Sequence, residues 1–230
     1  MNMEEEYKGK EATLFKKLEG KKVQCLACAH YCQIPEGKTG ICGVRKNYQG
    51  KLYLIVYGRA IAVNTDPVEK KPLYHFLPKS LVYSIGTIGC NFRCQFCQNW
   101  DISQYMREKG AGAEILGQDL SPEKIIDHCK RNKIPAVSFT YNEPAIFFEY
   151  ARDTARLAHE NKMKTIYVSN GYESKEALEE IAPYLDAINV DIKSFSEEFY
   201  NKICGAKLQP VLDTVKRVKE KGIWMEITTL

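Results

Sequence analysis

The sequence predicts an α/β fold, a parallel sheet covered by helices, preceded by a small cysteine-rich module. From residue 81 onward, five short apolar runs rich in β-branched and aromatic residues alternate with helix-like segments. This alternation is typical of right-handed βαβ units, which form parallel sheets. All but two of the nine cysteines fall in two clusters, one before this region and one near its start. The length of 230 residues suits one such core, at 81–230, and an N-terminal module at 1–80.

The N-terminal module shows few signals for regular structure. The run "EATLFKKLEG", at 11–20, predicts a short amphipathic helix that ends at Gly20. The run "KLYLIVYGRAIAVNTDP", at 51–67, predicts a strand or a hairpin, because its β-branched and aromatic residues favour strands. Just before the core come four residues that we expect to be solvated groups around a turn rather than substrate contacts: Lys70, Lys71, Tyr74 and His75.

The core elements follow from apolar runs and capping signals. The predicted strands are 81–86, 136–141, 165–170, 187–192 and 223–228. Ser121 with Pro122, and Glu143 with Pro144, predict the starts of two helices. Further helices are predicted at 174–184, 196–203 and 208–222. Because the chain stops at its fifth predicted core strand with no closing helix, we expect a fragment of a longer protein.

Charge and composition exclude several classes of protein. There are 33 Lys and Arg residues against 29 Asp and Glu, which leaves a net charge of +4 with the signs interspersed. Such mild basicity suits anionic small molecules and is too weak to indicate nucleic acid. No apolar run approaches the roughly 20 residues of a membrane span, and the polar N-terminus is unlike a signal peptide. We therefore expect a cytoplasmic protein whose clustered thiols bind metal rather than form disulfides.

A shared site is predicted at the carboxyl edge of the sheet, where functional groups gather in parallel α/β folds. Each of the first four predicted core strands is followed by residues suited to such a site. They are Gly86 and Thr87 with Cys90 beyond, Asn142 and Glu143, Asn170 and Gly171, and Asp191 with Lys193.

The second cysteine cluster, Cys90, Cys94 and Cys97, lies in the loop after the first core strand. Three thiolates leave one iron of a 4Fe–4S cluster without a protein ligand, and that open iron can bind a substrate or a cofactor. One alternative is a zinc site completed by a distant ligand. For the whole chain, the alternative is a non-catalytic electron-transfer or metal-binding protein.

The motif "GCNFRCQFCQN" resembles the signature loop of the radical S-adenosylmethionine superfamily. The resemblance implies a partial (β/α) barrel, incomplete here at its C-terminal end, with a 4Fe–4S cluster and S-adenosylmethionine as cofactors. It implies that the reduced cluster cleaves S-adenosylmethionine to methionine and a 5′-deoxyadenosyl radical, which abstracts hydrogen from a substrate. A low-potential donor of the ferredoxin or flavodoxin type would supply the electron.

The same resemblance implies cofactor contacts at the strand ends. The run "TYNEP" stands where the superfamily commonly has two glycines and a glutamate, so Tyr141 and Asn142 replace the glycines. The runs "SNG" and "DIK" match motifs that follow the third and fourth strands. Val168, just before "SNG", replaces an acidic residue that often stands there. The alternatives are loop packing for Phe96, a helix N-terminal charge for Glu143 and a surface ion pair at the "DIK" run. The implied cofactor-binding residues are Phe96, Asn142, Glu143, Ser169, Asn170, Gly171, Asp191 and Lys193.

The first cysteine cluster offers enough thiols for tetrahedral zinc or for an all-cysteine Fe–S cluster. Spacing leaves both open, while small knuckles with glycine turns favour zinc. We expect His30 to be a bystander, and Cys129 and Cys204, which stand alone, to be buried thiols. The residues of this cluster are Cys25, Cys28, Cys32 and Cys42.

Several motifs resemble a narrower family, and they occur in that family's order. The runs "CLACAHYC", "GICGVR", "DPVEKKPLYHFLPKS" and "FTYNEP", together with the second cluster, resemble the radical enzymes of the AmmeMemoRadiSam system. These are relatives of the pyruvate formate-lyase activating enzymes, and the likeness spans 25–230. Two kinds of substrate stay open: a glycine on a partner protein, as for an activase, or a small molecule handled with the system's other proteins.

Overall fold

The computed structural model describes residues 9–110 and 112–229. In the N-terminal region its strands are β1 (Lys10–Glu11), β2 (Phe15–Lys17), β3 (Val23–Cys25), β4 (Gln33–Ile34), β5 (Arg45–Tyr48), β6 (Lys51–Leu54), β7 (Arg59–Ala60) and β8 (Ala62–Pro67). The later strands are β9 (Leu81–Gly86), β10 (Gln118–Asp119), β11 (Ala136–Phe139), β12 (Lys164–Ser169), β13 (Ala187–Ile192) and β14 (Trp224–Thr229).

The α-helices of residues 9–110 and 112–229 all lie after β9. None of the helices in the described part of the chain is long and apolar enough to cross a membrane. They are α1 (Trp100–Ser103), α2 (Tyr105–Lys109), α3 (Pro122–Arg131), α4 (Phe148–Glu160), α5 (Lys175–Ile181), α6 (Glu197–Phe199) and α7 (Leu208–Glu220).

The central sheet has six strands in the order β14-β13-β12-β11-β9-β8. The five strands from β14 to β9 in this order are parallel to one another. The sixth, β8, is antiparallel to β9, with Ala62 opposite Gly86 and Pro67 opposite Leu81. Because β8 and β14 are its free edges, the sheet is open. The predicted α/β fold and its five core strands are therefore confirmed, with small shifts at the strand ends.

Capping chemistry explains where the predicted helices begin. Ser121 accepts a hydrogen bond from the backbone N–H of Lys124 at 3.4 Å, and Pro122 is the first residue of α3. The buried face of α3 comprises Ile125, Ile126 and Cys129, which recur at helical spacing. The buried face of α3 belongs to the main core, and α3 packs against α4. Both helices therefore cover the same side of the sheet.

The N-terminal region consists of small antiparallel sheets. β2-β3-β4 and β1-β6-β5 form two of them, and β7 pairs with β10 from the core region. The strand or hairpin predicted over 51–67 is present as β6, β7 and β8. β8 lies before the predicted boundary at residue 80, but its hydrogen bonds place it in the central sheet. The division into 1–80 and 81–230 stays a prediction.

The amphipathic helix predicted at 11–20 is wrong. The segment contains the end of β1, the strand β2 and the start of a 3-10 turn at Glu19–Lys21. Ala12 and Leu14 are buried while Thr13 between them is exposed, and this period of two fits an extended chain. Antiparallel pairing of β2 with β3 satisfies its backbone groups. Tertiary pairing therefore overrides the local apolar pattern.

A buried ion pair joins the N-terminal region to the core. Arg45 on β5 donates to both carboxylate oxygens of Glu149 on α4, at 2.9 and 2.7 Å, and their side chains are 2% and 0% exposed. Arg45 also donates to the carbonyl oxygen of Ile146 at 3.2 Å, and the backbone N–H of Thr13 donates to Glu149 at 3.0 Å. Extra hydrogen bonds of this kind make a buried charge pair tolerable.

The two faces of the central sheet are covered differently. Helices cover one face, where Val137 and Phe139 belong to the main core. On the other face, apolar residues near the starts of the strands pack against Val68 and Leu73, from the segment 68–77 that follows β8. This segment covers the amino-terminal end of that face. The carboxyl-terminal end stays free to form a cavity.

Candidate functional site

The loop after β9 carries Cys90, Cys94 and Cys97. Cys90 and Cys94 are buried, and Cys97 is half-buried. Arg107, from α2, donates to the carbonyl oxygens of Cys90 and Phe92 at 2.9 and 2.6 Å. These bonds hold the backbone of the loop in place through the protein's own contacts.

A π-helix at Tyr200–Cys204 holds the other side of this loop. The backbone N–H of Arg93 donates to the carbonyl oxygen of Cys204 at 2.8 Å. The Cys204 and Cys94 thiols are neighbours, and their interaction, together with burial, raises the pKa of Cys94. Cys129 and Cys204 are both buried, as expected. Cys204 is nevertheless a neighbour of the second cluster, which its isolated position in the sequence did not indicate.

The three thiols border a cavity of about 420 Å³ at the carboxyl edge of the sheet. The cavity wall also contains groups from the ends of β11, β12 and β13, so residues distant in sequence converge there, as parallel topology predicts. Of the predicted residues, Glu143 and Gly171 do not line it. Those that do are Cys90, Cys94, Phe96, Cys97, Asn142, Ser169, Asn170, Asp191 and Lys193.

The donor set of this loop fits a 4Fe–4S cluster with one open iron. Among the described residues, no three Cys, His, Asp or Glu side chains are placed to hold a single metal ion. Such a cluster binds each thiolate at a different iron, so its ligands need not converge on one point. Three thiols that border one cavity of about 420 Å³ leave room beside the cluster for a cofactor.

Asn142 fastens the end of β11 to the cysteine loop. Its Nδ2 donates to Thr87 Oγ1 at 3.0 Å and to the carbonyl oxygen of Gly89 at 2.9 Å. Its Oδ1 accepts a bond from the backbone N–H of Thr87 at 3.3 Å. The amide is thus occupied by the loop, and the side chain positions the loop while it borders the cavity.

Glu143 is fully buried behind the cavity wall. Its carboxylate accepts hydrogen bonds from the backbone N–H groups of Ala145, at 3.0 Å, and Asn170, at 2.8 Å. Burial raises the pKa of this carboxyl well above its ordinary value. Glu143 therefore caps the 3-10 turn at Pro144–Phe147, in line with the helix-terminus alternative, and holds the end of β12.

The residues after β12 connect this strand to the same loop. Asn170 Nδ2 donates to Asn91 Oδ1, in the cysteine loop, at 2.8 Å. Gly171 has a φ of +71°, and a Cβ there would lie 2.8 Å from Val190 Cγ1. Only glycine fits this close approach without strain. The turn lets Ser169 and Asn170 border the cavity while the chain passes over β13.

Asp191 and Lys193 form an ion pair of 2.7 Å on the cavity wall. Their side chains are 27% and 15% exposed, so the pair is half-buried rather than a freely solvated surface pair. Burial opposes the charge of Lys193, but the neighbouring Asp191 outweighs it and raises the pKa of the lysine. The pair presents one fixed anion and one fixed cation to the cavity.

Phe96 lines the cavity and is 42% exposed. Its ring also lies 5.9 Å, centroid to centroid, from that of Phe199. The side chain therefore makes a packing contact and still presents apolar surface to the cavity. The contact with Phe199 confirms the packing interpretation, and the adenine contact stays a prediction.

The sequence predicts that four residues before the core are solvated groups around a turn. The prediction is confirmed for three of them and is wrong for Lys71. Lys70, Tyr74 and His75 are exposed. The Lys71 side chain is only 4% exposed, pairs with Asp66 at 3.0 Å and borders the cavity. It is buried because the segment 68–77 folds back across the sheet.

The four cysteines of the first cluster lie near one another in the N-terminal region. Cys25, Cys28 and Cys42 are buried and Cys32 is half-buried. Burial raises the pKa of Cys42 to about 11, and the nearby charges of Cys25 and Cys32 add to the effect. The structure thus groups these four thiols in one buried neighbourhood.

His30, from the first cluster, touches the loop of the second. Its Nε2 forms a hydrogen bond of 3.0 Å with the carbonyl oxygen of Asn91. Burial lowers the pKa of His30, so the neutral ring donates this bond at neutral pH. This nitrogen is therefore occupied by the cysteine loop.

Three thiols at a cavity beside the carboxyl edge of an open, mostly parallel sheet fit an iron–sulfur protein whose cluster keeps one open iron. The family model of the Radical SAM superfamily matches residues 84–230. The chain belongs to this superfamily, whose members are enzymes. The superfamily implies a 4Fe–4S cluster and S-adenosylmethionine as cofactors.

The chain is similar to several curated proteins. An uncharacterized protein of Methanocaldococcus jannaschii, MJ0808, is 43% identical over 221 residues, covering 96% of this chain and 64% of that protein. Pyruvate formate-lyase 1-activating enzyme of Escherichia coli is 23% identical over 141 residues, covering 59% of this chain and 54% of that enzyme. The chain thus spans about half to two thirds of the length of these relatives.

Two solved structures show a more distant similarity to the chain. Streptococcus suis SuiB bound to S-adenosylmethionine is 19% identical with a TM-score of 0.46, over 61% of this chain and 31% of that one. TYW1 with a lysine-pyruvate adduct is 21% identical with a TM-score of 0.43, over 64% and 54%.

Proposed function

We propose that Cys90, Cys94 and Cys97 hold a 4Fe–4S cluster and that S-adenosylmethionine binds in the adjoining cavity. Together the cluster and the cofactor supply radical abstraction of hydrogen from a substrate. The observation that carries the proposal is the convergence of three thiols and polar strand-end groups on one cavity of about 420 Å³.

In this proposal the chain's own residues bind and orient. Asp191 and Lys193 offer a carboxylate and an ammonium group, which match the zwitterionic amino acid end of the cofactor. Phe96 offers exposed aromatic surface to the adenine. Asn142 holds the cysteine loop directly, and Glu143 acts on the site through the backbone of Asn170, as a positioning residue.

We propose a second metal centre at the first cysteine cluster. The glycine turns of this knuckle are typical of zinc sites, but no three described side chains converge on a point that could hold one ion. An Fe–S cluster binds each thiolate at a different iron, and the contact with the loop of the second cluster would let it pass electrons inward. Metal analysis of anaerobically purified protein distinguishes the two: zinc in addition to one cluster's iron, or iron and sulfide for two clusters.

A low-potential carrier of the ferredoxin or flavodoxin type is the proposed electron donor. A second cleft, of about 640 Å³, is flanked by basic side chains and includes Gly40 and Gly43, which lie on either side of Cys42. Charge complementarity would favour an acidic carrier there. The basic residues of the cleft are Lys38, Lys46, Arg59 and Arg107.

A cytoplasmic location is also part of the proposal, and the nine cysteines that form no disulfide support it.

Two substrates are compatible with this chemistry. Similarity to pyruvate formate-lyase 1-activating enzyme supports a glycine on a partner protein. The motifs shared with the AmmeMemoRadiSam family support a small molecule and that system's proteins as partners. The excess positive charge at one end of the cavity favours the small molecule.

Formation of 5′-deoxyadenosine tests the proposed function. Anaerobically reconstituted protein, reduced with dithionite and supplied with S-adenosylmethionine, should form it, and Cys94→Ala should not. Cys129→Ala, which removes a buried thiol on α3 away from the cavity, is the matched control and should retain the activity. Product from Cys94→Ala would refute the ligand assignment, and its absence from the wild type would favour the non-catalytic alternative.

A further inference from the structure

One end of the cavity is lined mainly by residues that do not follow a parallel strand of the sheet. Lys70, Lys71 and Pro72 border it there, together with Tyr141. The first three belong to the segment after β8, which enters the cavity from the free edge of the sheet. This end is therefore built by a part of the chain that the proposed cofactor contacts do not use.

Lys71 is held rigidly in this wall. Its Nζ pairs with Asp66 Oδ2 at 3.0 Å and lies 5.0 Å from the centroid of the Tyr141 ring. Tyr141 is itself held through its hydroxyl, which accepts a bond from Asn64 Nδ2 at 3.0 Å. An ion pair and a cation–π contact thus fix one ammonium group at the edge of the cavity.

The charges at this end do not balance. Asp66 also pairs, through its Oδ1, with Lys70 at 3.1 Å, so two ammonium groups share one carboxylate. On the opposite wall, Asp191 and Lys193 compensate each other. Apart from the cysteines, the charged side chains that border the cavity, together with Asp66, therefore leave one positive charge beside Lys70 and Lys71.

Behind the cavity wall, and not bordering the cavity itself, lie two hydroxyls that are unpartnered within the described part of the chain, those of Ser138 and of Ser84 opposite it on β9. Ser138 is fully buried, and its Oγ has no hydrogen-bond partner among the described residues. It lies two residues before Thr140, which borders the cavity, and two after Ala136, whose side chain packs against the segment 68–77. Strand alternation therefore points all three to the face that carries Lys71. A buried hydroxyl without a partner costs free energy unless a ligand or water satisfies it.

We propose that this end of the cavity binds the anionic head group, a carboxylate or a phosphate, of a small-molecule substrate. The inference rests on the proposed function and names the substrate class of that same site. An anion beside Lys71 would receive charge-assisted hydrogen bonds, which are stronger than bonds between neutral groups. The neutral main chain of a glycine-containing peptide would leave the excess positive charge unpaired.

Binding of small anions tests this directly. Inorganic phosphate and acetate are titrated separately into the cluster-loaded, S-adenosylmethionine-bound enzyme by calorimetry, and the tighter of the two identifies the head group. Lys71→Gln should weaken binding of that anion at least tenfold, and Lys71→Arg should restore most of it. Lys216→Gln, which removes the same charge from the exposed face of α7, should leave it unchanged. Equal affinity in wild type and Lys71→Gln, or no binding by the wild type, would overturn the inference.

Ser138→Ala gives a second variant that does not disturb the ion pairs. The hydroxyl bonds to none of the residues that the structure describes, so its loss should leave the melting temperature unchanged or higher. The same variant should bind the anion more weakly than the wild type. Unchanged anion affinity in Ser138→Ala would remove this residue from the binding site.

The failure of this inference is distinguishable from that of the proposed function. If anion binding depends on Lys71 but no 5′-deoxyadenosine forms, the radical chemistry is wrong. If 5′-deoxyadenosine forms and glycine-containing peptides raise its yield while phosphate and acetate do not bind, the anionic substrate is wrong and an activase is favoured.

Discussion

The carbonyl oxygen of Cys42 packs against the backbone of Gly89. A Cβ at Gly89 would lie 2.6 Å from that oxygen and 2.8 Å from Val44 Cγ1, and the φ of Gly89 is +89°. This contact joins the last cysteine of the first cluster to the residue before Cys90, the first cysteine of the second. The N-terminal region is therefore a supporting wall of the cysteine loop.

Gly89→Ala should displace the loop, because it adds both a clash and an unfavourable positive φ. Backbone strain of this kind costs on the order of 1–3 kcal/mol. We expect a lower melting temperature and less iron bound per chain after anaerobic reconstitution. Gly58→Ala is the matched control, since Gly58 has a φ of +71° but a Cβ there would meet nothing described within 4 Å. Equal iron content in the two variants would argue against the contact as a support for the cluster.

Asn142→Ala should weaken binding of S-adenosylmethionine, because it frees the cysteine loop from the end of β11. It removes bonds to Thr87 and Gly89, each worth roughly 0.5–1.5 kcal/mol. Calorimetric titration of the cofactor into the cluster-loaded variant measures the effect, expected as a loss of tenfold or more. Asn132→Ala removes an exposed asparagine that caps the end of α3 by donating to the carbonyl oxygen of His128, and it should behave as wild type. Wild-type affinity in Asn142→Ala would show that the loop holds its position without this side chain.

Cys204→Ala should lower the reduction potential of the second cluster. If Cys94 binds iron as a thiolate, the neighbouring Cys204 thiol would donate a hydrogen bond to its sulfur. Hydrogen bonds to cluster sulfurs stabilise the more negative, reduced state, so their loss makes reduction harder. A redox titration monitored by EPR measures the midpoint potential, and Cys129→Ala serves as the buried-thiol control. A potential that is the same in both variants would show that the hydrogen bond has no influence on the cluster.

The Arg45–Glu149 pair should make stability depend on acidity. Burial alone would raise the pKa of Glu149, but the Arg45 guanidinium outweighs it and holds the pKa below its ordinary value. The pair's contribution is therefore complete above the ordinary glutamate pKa of about 4.3, and it is lost as the pH falls through the lower folded value. Denaturant unfolding at a series of pH values measures this decline.

Glu149→Gln should cost about 3–5 kcal/mol at neutral pH, because it leaves a buried guanidinium without its counter-charge. It should also flatten the acid decline. Glu160→Gln, at an exposed pair with Arg156, should change stability by less than about 1 kcal/mol. Similar losses in the two variants would contradict the structural role of the buried pair.

Much of the core could be predicted because its signals are local. Ser121 and Pro122 mark the start of α3 through capping alone, and each apolar run became a strand of the sheet. The convergence of distant strand ends followed from parallel topology, which is why most of the predicted site residues border one cavity.

The remaining features depend on contacts between residues distant in sequence. Lys71 looks like a solvated charge until β8 places Asp66 beside it and the segment 68–77 folds over the sheet. Cys204 looks isolated until the π-helix brings it to Cys94. Tyr141 stands where the superfamily commonly has glycine and still takes a φ of +71°, so its ring turns toward Lys71. None of these contacts leaves a periodic signal in the sequence.

The open iron is the central claim, and EPR of the reduced cluster tests it most directly. The spectrum of anaerobically reconstituted, dithionite-reduced protein is recorded before and after addition of S-adenosylmethionine. Binding at an iron that lacks a protein ligand should change the g values of the signal. A spectrum that is identical with and without the cofactor would contradict the account, because it would mean that every iron is already coordinated by the protein.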